Sequence, residues 1–101
     1  MAEFWTGRRV LVTGGNGFLG RVVVGLLASK GAEVVAPTHD EYDLTIPGVA
    51  DAMLAKHTPS HIIHLAARVG GIGYNLVDPA RLYLDNLMMG THIIEAARAA
   101  G

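Results

Sequence analysis

Residues 12–20 read Val-Thr-Gly-Gly-Asn-Gly-Phe-Leu-Gly, with four glycines between positions 14 and 20. The chemistry open to such a run is phosphate binding. Phosphate oxygens need several backbone N–H donors at once. A helix opening straight after the run offers free N–H groups and the positive end of its dipole, and a Cβ in the loop would block the approach. Two spacings overlap. Gly15, Gly17 and Gly20 fit G-x-G-x-x-G, while Gly14, Gly17 and Gly20 fit G-x-x-G-x-x-G. In either register the first glycine makes the turn, Gly17 lets a pyrophosphate come close, and Gly20 lets the helix pack.

Groups able to move protons are fewer. Tyr42, Tyr74 and Tyr83 are followed four residues later by Ile46, Asp78 and Leu87, and the lysines Lys30 and Lys56 are preceded by Leu26 and Ala52. No Tyr-x-x-x-Lys pair exists, and no catalytic residue is assigned. The chain has no cysteine, which excludes disulfides, thiolate metal ligands and a cysteine nucleophile. His57, His61 and His64 lie close together, but residues 61 and 64 of one strand face opposite sides. No metal site is expected. Arg68 and the glycine-rich run 70–75 are further candidates for phosphate or substrate contact. Arg81 and Asp85 sit one helical turn apart and can pair weakly.

These residues need elements to hold them. Arg9 to Thr13 is a short apolar run ending at glycine, and it reads as a buried strand. From Phe18, apolar residues at 18, 19, 22, 23, 26 and 27 predict a helix, with Lys30 in its last turn and Gly31 at its C-cap. Residues 32–37 predict a second strand ended by Pro37. Residues 46–59 predict a short helix, with Pro47 near its first turn and Pro59 beyond its end. His61 to Ala67 predicts a third strand. A long helix follows, capped by Asp78, started by Pro79 and ended at Gly101; Met88-Met89 and Ile93-Ile94 read as its core. The order is βαβαβα. Strands that are apolar on both faces predict a small parallel sheet covered on both sides, a three-layer α/β arrangement. It is one mononucleotide-binding half of a Rossmann fold.

The bulk properties agree. The chain has 101 residues, 50% of them hydrophobic and 17% charged, with a formal net charge of −1. That is one small ordered domain. There is no broad basic field to recruit nucleic acid or an acidic membrane. No stretch has the apolar length of a bilayer span, nor does the N-terminus have a secretory pattern, so the expected location is cytoplasmic.

Thr13-Gly14-x-x-Gly17-x-x-Gly20 resembles the TGxxGxxG loop of short-chain dehydrogenase/reductases, and favours the Gly14 register. Asp43-Leu44 resembles the family's Asp-hydrophobic pair, whose aspartate contacts adenine, Leu65-Ala66-Ala67 the strand end that runs along the cofactor, and Asn86-x-x-x-Gly90-Thr91 a helix of its extended subfamily. Val69-Gly70-Gly71-Ile72 after the third strand resembles the GDP-L-fucose synthases within that subfamily, which are NADP-dependent epimerase/reductases.

The resemblance implies cofactor contacts at Gly14, Asn16, Gly17, Phe18, Leu19, Gly20, His39, Asp43, Leu44, Leu65, Ala66 and Ala67. It implies NADP as cofactor. Asn16 and His39 stand where these enzymes often carry arginine, so NAD stays open. In the resembled enzymes a tyrosine, a lysine and a serine act on GDP-4-keto-6-deoxy-mannose; none of them maps here. Residues 1–101 are therefore expected to be a cofactor-binding portion, truncated and inactive alone, with the nucleotide-sugar a partner of the intact enzyme only. The alternative is a stand-alone nucleotide-binding or self-assembling half-Rossmann module. The third strand is expected to form an exposed edge through which the chain self-associates.

Overall fold

The computed structural model describes residues 2–67 and 78–101. In chain order the elements are α1 (Ala2–Trp5), β1 (Arg9–Thr13), α2 (Phe18–Ser29), β2 (Glu33–Val35), α3 (Val49–His57), β3 (His61–His64) and α4 (Pro79–Ala100). Among the described residues the sheet has three parallel strands, in the order β2-β1-β3. This is the expected three-layer arrangement.

β1 organises the core because its side chains alternate across the sheet. Val10 and Val12 meet Leu27 of α2 on one face, with Trp5, Val34 and Ile63 packed around them. Leu11 meets Met53 and Leu54 of α3 and Met89 and Ile93 of α4 on the other. Val10, Leu11 and Val12 are fully buried, and each such side chain contributes roughly 1.5–3 kcal/mol.

Several ends follow local chemistry. α2 stops at Gly31, with φ +87°. There the Gly31 N–H donates to Ala28 O and the Ala32 N–H to Leu27 O, so the carbonyls of the last turn are satisfied. Lys30 is the cap residue of α2 rather than part of its last turn. α4 begins as expected: the Asp78 carboxylate accepts from the Arg81 N–H at 3.1 Å, and Pro79 opens the helix. At the start of β1 the Arg9 guanidinium donates to His57 O and Thr58 Oγ1, both at 3.0 Å. It thus binds the C-terminus of α3, where the helix dipole favours a cation.

Five expectations are corrected. α3 starts at Val49, because Gly48 (φ +87°) is its N-cap and Pro47 lies outside it. β2 covers only Glu33–Val35. β3 ends at His64; the Leu65 N–H makes the last bond to Thr13 O, and 65–67 continue as an extension outside the strand, held by the Thr13 side chain. The buried face of α2 is Gly20 and Leu27, with Val23 and Val24 half-buried. Phe18 is 93% exposed, and Leu19, Val22 and Leu26 are exposed too. The apolar arc of α2 is wider than the surface that three strands offer it. Ile93 is buried and Ile94 is 71% exposed, since successive helical residues point about 100° apart. α1 was not anticipated. Its Phe4 and Trp5 rings pack edge-on against His61 at the start of β3.

Candidate functional site

All three strands end on the same side of the sheet. In such folds ligands lie outside the carboxyl ends of the strands, where the chain order reverses. That point here lies between β1 and β3. β1 runs into Gly14, which turns with φ +71°, a conformation that favours glycine. The Gly17 N–H donates to Gly14 O at 3.1 Å and closes the turn.

The glycines of the loop meet different neighbours. A Cβ on Gly14 would lie 2.7 Å from the Ala66 nitrogen, and one on Gly20 would lie 2.0 Å from Gly14 O. One on Gly15 would lie 2.7 Å from the Ala36 Cβ. A Cβ on Gly17 would meet nothing nearer than Gly14 O at 3.4 Å. So Gly14 presses against the β3 extension, Gly15 backs onto Ala36 just beyond β2, and Gly20 packs α2 onto the loop. Gly17 alone of the four faces open space that a side chain would fill. It is also the N-cap of α2, with no side-chain cap and no acidic residue in the first turn. The positive end of this helix is left uncompensated.

The opposite wall is tied to the loop through Thr13, which is buried. Its Oγ1 accepts from the Leu65 and Ala66 N–H groups, each at 3.1 Å, and lies 2.6 Å from His64 Nδ1. Burial holds the His64 imidazole below the usual histidine value. The outer flank is formed by the turn after β2. There the Thr38 N–H and hydroxyl both donate to Glu41 Oε1, at 2.9 and 3.1 Å. These bonds hold the Glu41 carboxyl below the usual carboxylate range. His39 Nε2 lies 3.9 Å from Asp43 Oδ2. Asp43 Oδ1 accepts from the Thr45 N–H at 3.0 Å and the Thr45 hydroxyl at 2.6 Å. His92 of α4 reaches across to Leu44 O at 2.7 Å.

These parts enclose a cavity of about 440 Å³, a size suited to a small-molecule ligand. Gly14, Asn16, Gly17, His39, Leu44, Leu65, Ala66 and Ala67 line it, among the residues expected to do so. Gly20 sits beneath the loop, and Phe18, Leu19 and Asp43 are not in the lining. Arg68 and the run 70–75 lie outside the described residues. A larger cleft of about 770 Å³ opens at the other end of the sheet, between Thr58–Ile62, the end of α3 and the alanines of late α4. Two helices point their C-termini toward it, which disfavours an anion. The smaller cavity is the better candidate for a phosphorylated ligand.

The profile of the NAD dependent epimerase/dehydratase family matches residues 10–101. The chain belongs to this family. Among its relatives, a GDP-L-fucose synthase of Azorhizobium caulinodans is 33% identical over 88 residues, covering 87% of this chain and 28% of that protein. A probable GDP-L-fucose synthase 1 of Oryza sativa subsp. japonica is 36% identical over 96 residues, covering 94% and 29%. The solved structure of a GDP-L-fucose synthetase from Naegleria fowleri bound to NADP matches with a TM-score of 0.81 and 29% identity, over 93% of this chain and 31% of that one. The chain thus spans less than a third of the length of these relatives.

For this member of the epimerase/dehydratase family, sequence reasoning missed part of the cavity: Thr13, Gly15, Pro37, Thr38, Tyr42, Met53 and Met89 also line it. Thr13 had a signal, since it stands first in the TGxxGxxG match. Tyr42, Met53 and Met89 had none. They come from three separate segments and meet only in the folded chain.

Proposed function

We propose that residues 1–101 are the nicotinamide-dinucleotide-binding unit of a nucleotide-sugar epimerase/reductase similar to GDP-L-fucose synthase, with NADP as the cofactor. The observation that carries this reading is the uncapped start of α2 over the open face of Gly17. The dipole and the N–H groups of residues 18–20 are suited to the pyrophosphate there, which accounts for Phe18 and Leu19 through their backbones rather than their side chains. Leu65, packed against the Val10–Val12 core, and the small Ala66 and Ala67 form a wall for the ribose to lie along. Leu44, Tyr42, Met53 and Met89 supply an apolar end for adenine. Asn16 and His39 line the cavity and on this reading face the 2′ position, where they would decide between phosphate and hydroxyl.

Bound here, the nicotinamide would supply the hydride chemistry; this chain's own residues bind it and orient it. No Tyr-x-x-x-Lys pair occurs in the sequence, so the chain alone is expected to bind without turnover. Conversion of GDP-4-keto-6-deoxy-mannose is proposed only for a polypeptide that carries such a pair beside this unit. A cytoplasmic setting is part of the proposal; no described helix is long and apolar enough to cross a membrane.

A second reading rests on β3. Among the described residues it pairs with β1 alone, and an unpaired edge offers N–H and C=O groups to another chain. On this reading the unit self-associates through that edge.

Calorimetric titration with NADP, NAD and a GDP-sugar tests the first reading. Binding of NADP without binding of the GDP-sugar supports it. Failure to bind either dinucleotide overturns it. Sedimentation analysis tests the second, and a monomer at high concentration counts against it.

A further inference from the structure

The contacts around Thr13 carry more than a fold contact. A hydroxyl has one hydrogen to give and two lone pairs to accept with. Both lone pairs of Thr13 Oγ1 are used, by the Leu65 and Ala66 N–H groups at 3.1 Å. The third partner, His64 Nδ1 at 2.6 Å, can then only receive the hydroxyl hydrogen. Nδ1 must be unprotonated, and the ring proton must sit on Nε2. His92 faces the opposite requirement. Its Nδ1 lies 2.7 Å from Leu44 O, and a carbonyl only accepts, so this Nδ1 must carry a proton.

We infer that His64 is a positioning residue for the cofactor cavity: its bare Nδ1 takes the Thr13 hydroxyl hydrogen and so aims both Thr13 lone pairs at the wall formed by Leu65 and Ala66. This rests on the cavity being the dinucleotide site. The wall is placed where tolerance is least, because the Ala66 nitrogen stands only 2.7 Å from where a Gly14 Cβ would be. If the hydroxyl rotates away, the Leu65 N–H keeps Thr13 O at 3.0 Å. Among the described residues, Thr13 Oγ1 is the acceptor for the Ala66 N–H. His64 therefore acts through Thr13 on a backbone group beside the phosphate loop, without touching the ligand.

Two amide substitutions separate this role from simple packing. In H64N the amide oxygen can take the place of Nδ1; in H64Q it lies nearer the place of Nε2. H64N should keep NADP affinity, and H64Q should weaken it by about threefold to tenfold, the worth of one hydrogen bond. In a T13V background the difference between the two amides should vanish, since Val cannot donate. Equal losses in H64N and H64Q, or a difference that survives T13V, overturn the proposal.

Imidazole ¹⁵N NMR of the whole chain supplies a readout independent of ligand. The expected spectrum has Nδ1 unprotonated in His64 and protonated in His92. A protonated Nδ1 in His64 at neutral pH overturns the clasp even if NADP binds. Absence of NADP binding with the expected tautomers overturns the dinucleotide reading and leaves the clasp standing.

Discussion

α2 and α4 begin in opposite ways. α4 closes its own start: Asp78 accepts from the Arg81 N–H, and Pro79 removes a donor that would otherwise need a partner. α2 starts at Gly17 with no cap from any described side chain. Both termini have the same orphan N–H groups and the same dipole. One helix satisfies them from within, and the other leaves them without a side-chain cap beside the cavity. A helix start that lacks the usual cap, opens on a cavity and follows a tight glycine turn fits the proposed binding of a dinucleotide. A capped start is an architectural one.

The comparison breaks most sharply at Gly20. G20A would put a Cβ 2.0 Å from Gly14 O, and the loop must shift. We expect about 3 kcal/mol of destabilisation or more, read by denaturant unfolding. G25A, in the same helix with nothing within 4 Å of the added Cβ, should instead stabilise by roughly 0.5–1 kcal/mol. Equal effects would sink the packing account of Gly20.

The next largest effect turns α2 into a copy of α4. G17D gives the helix its own acidic cap. Stability should rise by a few tenths of a kcal/mol, ~0.3, while NADP affinity falls by about tenfold or more as the carboxylate takes the phosphate position. Unchanged affinity in calorimetry would show that the terminus is not the phosphate site. D78A is the converse. It should lower stability by about 1 kcal/mol and leave NADP affinity where it was. Loss of binding in D78A would erase the distinction between the two helix starts.

The smallest effect is on pH. The folded-state pKa of His64 is held below its ordinary value by burial, so the folded chain resists protonation more than the unfolded one. The stabilising contribution is complete above about pH 6.5, the ordinary histidine value. It is lost as pH falls below that value toward the lowered one. Wild type should therefore lose stability relative to H64N between about pH 7 and 5, measured by paired denaturant titrations. A wild type that gains on H64N in that window would reverse the sign assigned here.

How much of this was legible in the sequence depends on how local its cause is. β1 and α4 came out with their observed bounds and α2 with its observed start, because Thr13-Gly14, Asp78 and Pro79 mark ends within a few residues; α2 stops one residue short of the expected Lys30, which is its cap. The start of α3 did not, because Gly48 took the cap in a left-handed conformation where Pro47 promised a helical first turn. The end of β3 was misplaced for a tertiary reason. Leu65 and Ala66 turn their N–H groups to the Thr13 side chain, a partner some fifty positions earlier. The phosphate loop was readable as a motif. For the proposed adenine end the resemblance offered Asp43-Leu44, of which Leu44 lines the cavity and Asp43 does not; Tyr42, Met53 and Met89 were not readable there, because they announce only burial. The clasps at His64 and His92 were invisible for the same reason: each joins segments far apart in the chain.

Trp5 is the chain's one tryptophan. Its ring stands edge-on to His61 at 5.5 Å and to Phe4 at 4.9 Å, at the end of the sheet away from the glycine loop. The molecule therefore carries an optical reporter at its blind end. Indole emission will follow whether α1 stays docked on the start of β3. It will be nearly deaf to what fills the cradle at the other end. Unfolding and ligand occupancy can be recorded as separate channels from one unlabelled sample.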